Sequence, residues 1–160
     1  MSTVVVGIAD LQVVKAPDIV TTIGLGSCVG VAIYDPAARI GGLVHILLPR
    51  HDAGVVSNPA KYADTGVPEL IRRMLARGAR RNSMVAKIAG GANMFSALGS
   101  QSDIFMIGQR NVEMCVTALK NEGIRLTRRD TGGTYGRTVE LNAENGQLKI
   151  KTIGHGEMYL

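Results

Sequence analysis

Apolar residues along this 160-residue chain come mostly in short runs bounded by glycine, proline and polar clusters, the spacing of strands rather than helices. Residues 4–8 and 12–15 read as strands broken near Ala9-Asp10, and residues 19–23 as a third that ends at Gly24-Leu25-Gly26. Residues 28–34 are apolar, short and bounded by Asp35-Pro36. They fit a buried strand, or one helical turn followed by a strand, and periodicity does not separate the two. Residues 40–48 read as a buried strand stopped by Pro49, and residues 50–59 as a polar loop. Residues 83–89, 124–129 and 138–141 follow as strands. Asn145-Gly146 predicts a two-residue hairpin turn into a last strand at 147–153.

Two stretches have the 3.6-residue period of amphipathic helices. In the first, Val67, Leu70, Ile71, Met74 and Leu75 share a face opposite arginines. Pro68 is placed in its first turn, with Asp64 or Thr65 near the cap and Gly78 at the end. The second covers residues 111–120, with Val112, Cys115, Val116 and Leu119 at core spacing and Gly123 as the stop. Strands outnumber helices, and only some alternate with them, which disfavours a doubly wound parallel sheet. The expectation is an α+β fold in which mixed sheets pack together, flanked by two or three helices, as one domain over 1–160.

Composition narrows the function classes. Twenty glycines include the pairs Gly41-Gly42, Gly90-Gly91 and Gly132-Gly133, each read as a tight turn. No apolar run is long enough to span a membrane, and the first residues lack the pattern of a signal peptide, so a cytoplasmic protein is expected. Two cysteines without framework spacing agree with a reducing compartment. The net charge of +5 gathers in Arg72, Arg73, Arg77, Arg80 and Arg81, and in Arg125, Arg128 and Arg129. These read equally well as solvated faces or as a surface for an acidic partner. Tryptophan is absent and no aromatic residue interleaves with the arginines, which argues against nucleic acid.

The chemistry concentrates in Thr22-Ile23-Gly24-Leu25-Gly26-Ser27-Cys28 and Gly41-Gly42-Leu43-Val44-His45. Most cytoplasmic cysteines are small buried hydrophobes. Cys28, however, follows a Gly-x-Gly turn at a strand end, where backbone N–H groups of Gly26 and Ser27 are placed to meet an oxyanion. A histidine within reach, or a helical turn starting there, lowers the thiol pKa. His45 lies in an apolar run, where an imidazole requires a specific partner, and Cys28 and Thr22 are the nearest in sequence. Thr21 alternates to the opposite strand face. Cys115 reads as core, and His51 and His155 as solvent-facing. The glycine loop lacks the Lys-Ser/Thr of a phosphate loop, and its third glycine falls one place late for a dinucleotide fingerprint. Two distant cysteines and three dispersed histidines give no metal-ligand spacing, so neither cofactor nor metal is expected. Nothing in the motif prefers Ser27 to Cys28 as nucleophile.

These segments, with Val29-Gly30-Val31, Tyr34-Asp35-Pro36, Leu48-Pro49, Lys61-Tyr62-Ala63-Asp64-Thr65, Lys87-Ile88-Ala89-Gly90-Gly91-Ala92, Met94-Phe95, Gly108-Gln109-Arg110-Asn111 and Asp130-Thr131-Gly132-Gly133, resemble the CheD family of chemoreceptor glutamine deamidases in order and over nearly the whole chain. The resemblance implies a central β-sandwich related to bacterial toxin deamidases. It implies Cys28 as nucleophile, His45 as general base and acid, and Thr22 as the group that orients it. The implied reaction converts receptor glutamine to glutamate through a thioester, and the same machinery can cleave glutamyl methyl esters. Gly90, Gly91 and Phe95 become candidates for a groove that takes a receptor helix. The implied partners are the cytoplasmic helices of chemoreceptors and the phosphatase CheC. The competing reading is a non-catalytic adaptor that binds and stimulates CheC.

Overall fold

The computed structural model describes residues 1–52, 54–94 and 106–160. Its elements are β1 (Thr3–Val6), β2 (Leu11–Lys15), β3 (Ile19–Leu25), β4 (Val29–Asp35), β5 (Ile40–Ile46), α1 (Ala63–Ala76), β6 (Val85–Gly90), α2 (Ile107–Asn121), β7 (Arg125–Thr131), β8 (Arg137–Asn142), β9 (Leu148–Thr152) and β10 (Gly156–Tyr159). They form two mixed five-stranded sheets, ordered β1-β3-β8-β9-β10 and β2-β5-β4-β6-β7. In each sheet one pair is parallel, β1 with β3 and β6 with β7. The sheets pack face to face, and both helices cover the outer face of the second sheet. The α+β sandwich expected from the strand-rich pattern is therefore the fold, with its helices on one side. Among the described residues, no helix is long and apolar enough to cross a membrane.

This layering explains the two most apolar segments. β4 and β5 lie in the middle layer, and every residue of both is buried. A strand covered on both faces has no polar side to show, so its sequence is a continuous apolar run. Val29, Val31, Ile33, Val44 and Ile46 face the helices. Cys28, Ala32, Tyr34 and Leu43 face the other sheet. Gly41-Gly42 is not a turn but lies inside β5. A Cβ on Gly42 would come within 2.7 Å of Leu70 Cδ1, so its glycine lets α1 approach the sheet.

Other sequence expectations shift for tertiary reasons. α1 begins at Ala63, because Tyr62 is held extended by its bridge to Leu48 and separates a 3-10 turn at Pro59–Lys61 from the helix. Pro68 therefore sits inside the helix rather than in its first turn, at the cost of one backbone bond. Val67, Leu70, Ile71 and Met74 are fully buried, each burial stabilising by about 1.5–3 kcal/mol. Leu75, assigned to the same face, is 38% exposed and lies outside the buried stripe of the helix. Cys28 lies in a bend directly before β4, so no helical turn starts there. The turn between β8 and β9 runs from Ala143 to Gly146 and is longer than a two-residue hairpin. The last apolar segment turns at Ile153 and returns as β10, antiparallel to β9.

Candidate active site

The sandwich brings Thr22 of β3 against His45 of β5 across the sheet interface. Both are fully buried, and Thr22 Oγ1 lies 2.8 Å from His45 Nδ1. The same hydroxyl donates to Val6 O at 2.7 Å. A threonine has only one proton to give. It goes to Val6, so Thr22 must accept from His45, and the imidazole carries its proton on Nδ1. Nε2 is left with a lone pair, and no described residue bonds to it. The neighbouring Thr21 turns away and donates to Val139 O within its own sheet.

Gly30 is the ladder partner of His45, and Val29 that of Ile46. Cys28, two residues before Gly30, lies on the same face and diagonal to His45. Diagonal ladder neighbours are about 7–8 Å apart at the backbone, within reach of long side chains. Gly30 places no side chain between them.

Three carbonyls pin the Cys28 bend. Gly26 O accepts from Ala92 N, Ser27 O from Asn111 Nδ2, and Cys28 O from Gly91 N, at 2.8 to 2.9 Å. A trans peptide points its N–H opposite its C=O. The N–H groups of Ser27 and Cys28 therefore face away from these anchors. That of Cys28 lies against its own sulfur. The N–H of Gly26 is already spent on Gly24 O at 3.1 Å.

Burial pushes the Cys28 thiol up, and its own backbone N–H offsets part of the rise. Burial also lowers the His45 pKa. The resting pair is thus a neutral thiol and a neutral imidazole, not the low-pKa thiolate that the sequence leads one to expect. The arrangement suits a base that takes the thiol proton during reaction.

The remaining sequence candidates are dispersed. Gly90 has φ +114°, and a Cβ there would overlap Cys28 O, so this glycine backs the bend itself. Gly91 lines a cavity of about 590 Å³ with Met106, Gln109, Val112, Gly132 and Gly133. Cys28 is not part of its lining. Phe95 lies outside the described residues. Cys115 is fully buried on the inner face of α2, and burial raises its thiol strongly. His155 is exposed, whereas His51 is half-buried with its ring edge-on to Tyr62.

Sequence reasoning gave no role to Asn111. It is fully buried, and its Nδ2 ties Ser27 O to Leu47 O, joining the ends of β4 and β5 beside Cys28. Its signal was a lone polar residue in the buried stripe Gly108, Asn111, Cys115, Ala118 and Leu119.

Residues 47–152 match the family model described as CheD chemotactic sensory transduction. The chain belongs to the CheD family. It is 52% identical over 156 residues to a probable chemoreceptor glutamine deamidase CheD of Caldanaerobacter subterraneus, covering 97% of this chain and 96% of that one. It is 47% identical over 154 residues to the chemoreceptor glutamine deamidase CheD of Halalkalibacterium halodurans, covering 95% and 94%. A crystal structure of a Neisseria meningitidis protein of the DUF152 family aligns with a TM-score of 0.51 at 13% identity, over 84% of this chain and 65% of that one. That likeness is one of fold.

Proposed function

We propose that Cys28, His45 and Thr22 carry out the deamidation that CheD membership gives this chain. The protein is a chemoreceptor glutamine deamidase acting in chemotaxis. The observation that carries the residue assignment is the unpaired, buried Nε2 of an imidazole whose tautomer Thr22 fixes. His45 Nε2 takes the Cys28 proton as Sγ attacks the carboxamide carbon. The N–H groups of Ser27 and Cys28 stabilise the oxyanion. The imidazolium returns its proton to the departing nitrogen, which leaves as ammonia and forms a thioester. His45 then deprotonates a water, which attacks the thioester, and the thiol recovers its proton. The sum is one glutamine and one water to one glutamate and one ammonia. A glutamyl methyl ester follows the same course with methanol as the leaving group.

The substrate glutamine is presented on a cytoplasmic receptor helix. The groove beside Gly91, between α2 and the end of β7, supports docking of such a helix. A CheC-type phosphatase that presents a similar helix would compete for it. A purely adaptor role would not require the fixed tautomer and the free Nε2. Ammonia release from a receptor fragment tests the reading: Cys28→Ala abolishes it, while Cys115→Ala retains it. Full activity in Cys28→Ala rejects the nucleophile.

A further inference from the structure

Arg137 is the only buried arginine or lysine among the described residues, 1% exposed. It opens β8 in the first sheet, where its backbone pairs with Leu25. Its side chain crosses to the second sheet. Nε donates to Asp130 Oδ2 at 3.0 Å, and Nη1 donates to Gly132 O at 2.9 Å and, more weakly, to Gly90 O at 3.5 Å. The Tyr135 ring covers the guanidinium, with its centroid 4.8 Å from Cζ. Stability alone does not account for such a group, since a buried ion pair is often no more stable than apolar side chains of the same volume. The proposed chemistry gives it no role.

The guanidinium grips the loop that supports the cysteine bend. Gly132 and Gly133 have φ of +84° and +73° and bring no side chains that could anchor them. Gly132 N donates to Gly90 O at 3.0 Å, and Gly133 O accepts from Asn93 N at 2.9 Å. The segment fixed in this way supplies two of the bonds that pin the bend, Gly91 N to Cys28 O and Ala92 N to Gly26 O. The peptide joining Gly26 to Ser27 is one plane, so turning its carbonyl turns the Ser27 N–H with it. That N–H is one of the two offered to the oxyanion.

We infer that Arg137 is a positioning residue for deamidation: through Gly132-Gly133 and Ala92-Asn93 it aims the Ser27 N–H at the oxyanion. It touches neither the substrate nor the reacting atoms. A planar guanidinium serves a carboxylate and a carbonyl at once in fixed directions, which an ammonium on a flexible stem does not. This inference rests on the reading of Cys28 and its N–H groups given above.

The test uses Arg137→Lys and Asp130→Asn in a Cys115→Ala background, so that Cys28 is the only thiol. Ammonia release from a receptor fragment gives kcat and KM, thermal melts report folding, and iodoacetamide reads the reactivity of Cys28 without needing an oxyanion site. In folded Arg137→Lys, kcat is expected to fall about 10–100-fold while KM and the alkylation rate stay within about twofold. Unchanged kcat overturns the inference. A loss matched by faster alkylation also overturns it, because that marks a general loosening around the half-closed thiol. So does a rise in KM at constant kcat. Should Arg137→Lys not fold, Asp130→Asn decides. It keeps an acceptor for Nε but removes the charge that aims the fork, and kcat is expected to fall about threefold or more with alkylation unchanged. Unchanged kcat there overturns the inference. Ammonia release by Cys28→Ala would instead reject the nucleophile, whatever the Arg137 variants do.

Discussion

At the residue scale, a single threonine proton sets the direction of the site. Because Thr22 gives that proton to Val6 O, His45 must hold its own on Nδ1 and present Nε2 as a base. His45→Ala should remove nearly all turnover. Thr22→Ala leaves base and nucleophile in place but frees the ring, so a loss of about 10–100-fold is expected, with recovery in Thr22→Ser. Equal activity in Thr22→Ala and wild type would reject the orienting role. The pH profile follows from burial. The reactive imidazole is neutral, and its folded pKa is lowered from 6.5. The acid limb of kcat/KM should therefore fall below pH 6.5, with activity lost as pH drops through it. A limb at or above that value contradicts the assignment. The same group links pH to stability. The unfolded histidine takes up a proton as pH falls through 6.5 while the folded ring stays neutral, so stability declines below that pH. Replacing His45 by Gln should flatten this decline in thermal melts between pH 7 and 5, as expected when the linked proton is removed.

At the element scale, the strand ends matter more than their middles. β6 ends at Gly90 with φ +114°, pressed against the Cys28 carbonyl, and Gly91 N then bonds to that carbonyl. Gly90→Ala adds both strain and overlap. It should destabilise by about 1–3 kcal/mol in denaturant melts and lower kcat, because the bend that carries Cys28 has to move. Unchanged stability and turnover would show that the bend is indifferent to β6. On α1, Arg72 and Arg73 hold Glu69 down to a pKa of about 2. Its folded pKa lies below the ordinary 4.5, so this support is present above pH 4.5 and is lost as pH falls toward 2. Glu69→Gln should melt a few degrees lower at neutral pH and converge with wild type in acid, a small effect because the arginines are exposed. This pairing also shows that part of the first arginine cluster serves the fold. Arg77 donates to Val13 O, and Arg81 pairs with Glu122.

At the scale of the whole molecule, the second arginine cluster is the one left facing outward. Arg125, Arg128 and Arg129 are exposed on β7, an edge strand, where charge discourages edge-to-edge association. Arg129 also lines the cavity beside Gly91. With a net charge of +5, receptor binding there should weaken with salt more than the chemical step does, seen as KM rising while kcat holds. A CheC-type partner using the same groove should raise the apparent KM at constant kcat. A fall in kcat at constant KM would place the partner elsewhere.

The sequence by itself determined the strand-rich pattern, both helices, and the segments that carry threonine, cysteine and histidine, because local periodicity and glycine punctuation act over a few residues. It also separated Thr22 from Thr21 by alternation and assigned Cys115 to the core. Only the tertiary structure decided that Gly41-Gly42 is a packing contact, since a close approach of α1 leaves no local mark. The same holds for Pro68, displaced into the helix by a bridge between residues far apart in sequence, Leu48 and Tyr62. The neutral state of the Cys28–His45 pair and the Asn111 clamp also belong to the tertiary structure. Desolvation depends on what two sheets and a helix place around a side chain, and a hydrogen bond across 84 residues, from Asn111 to Ser27, has no local signature.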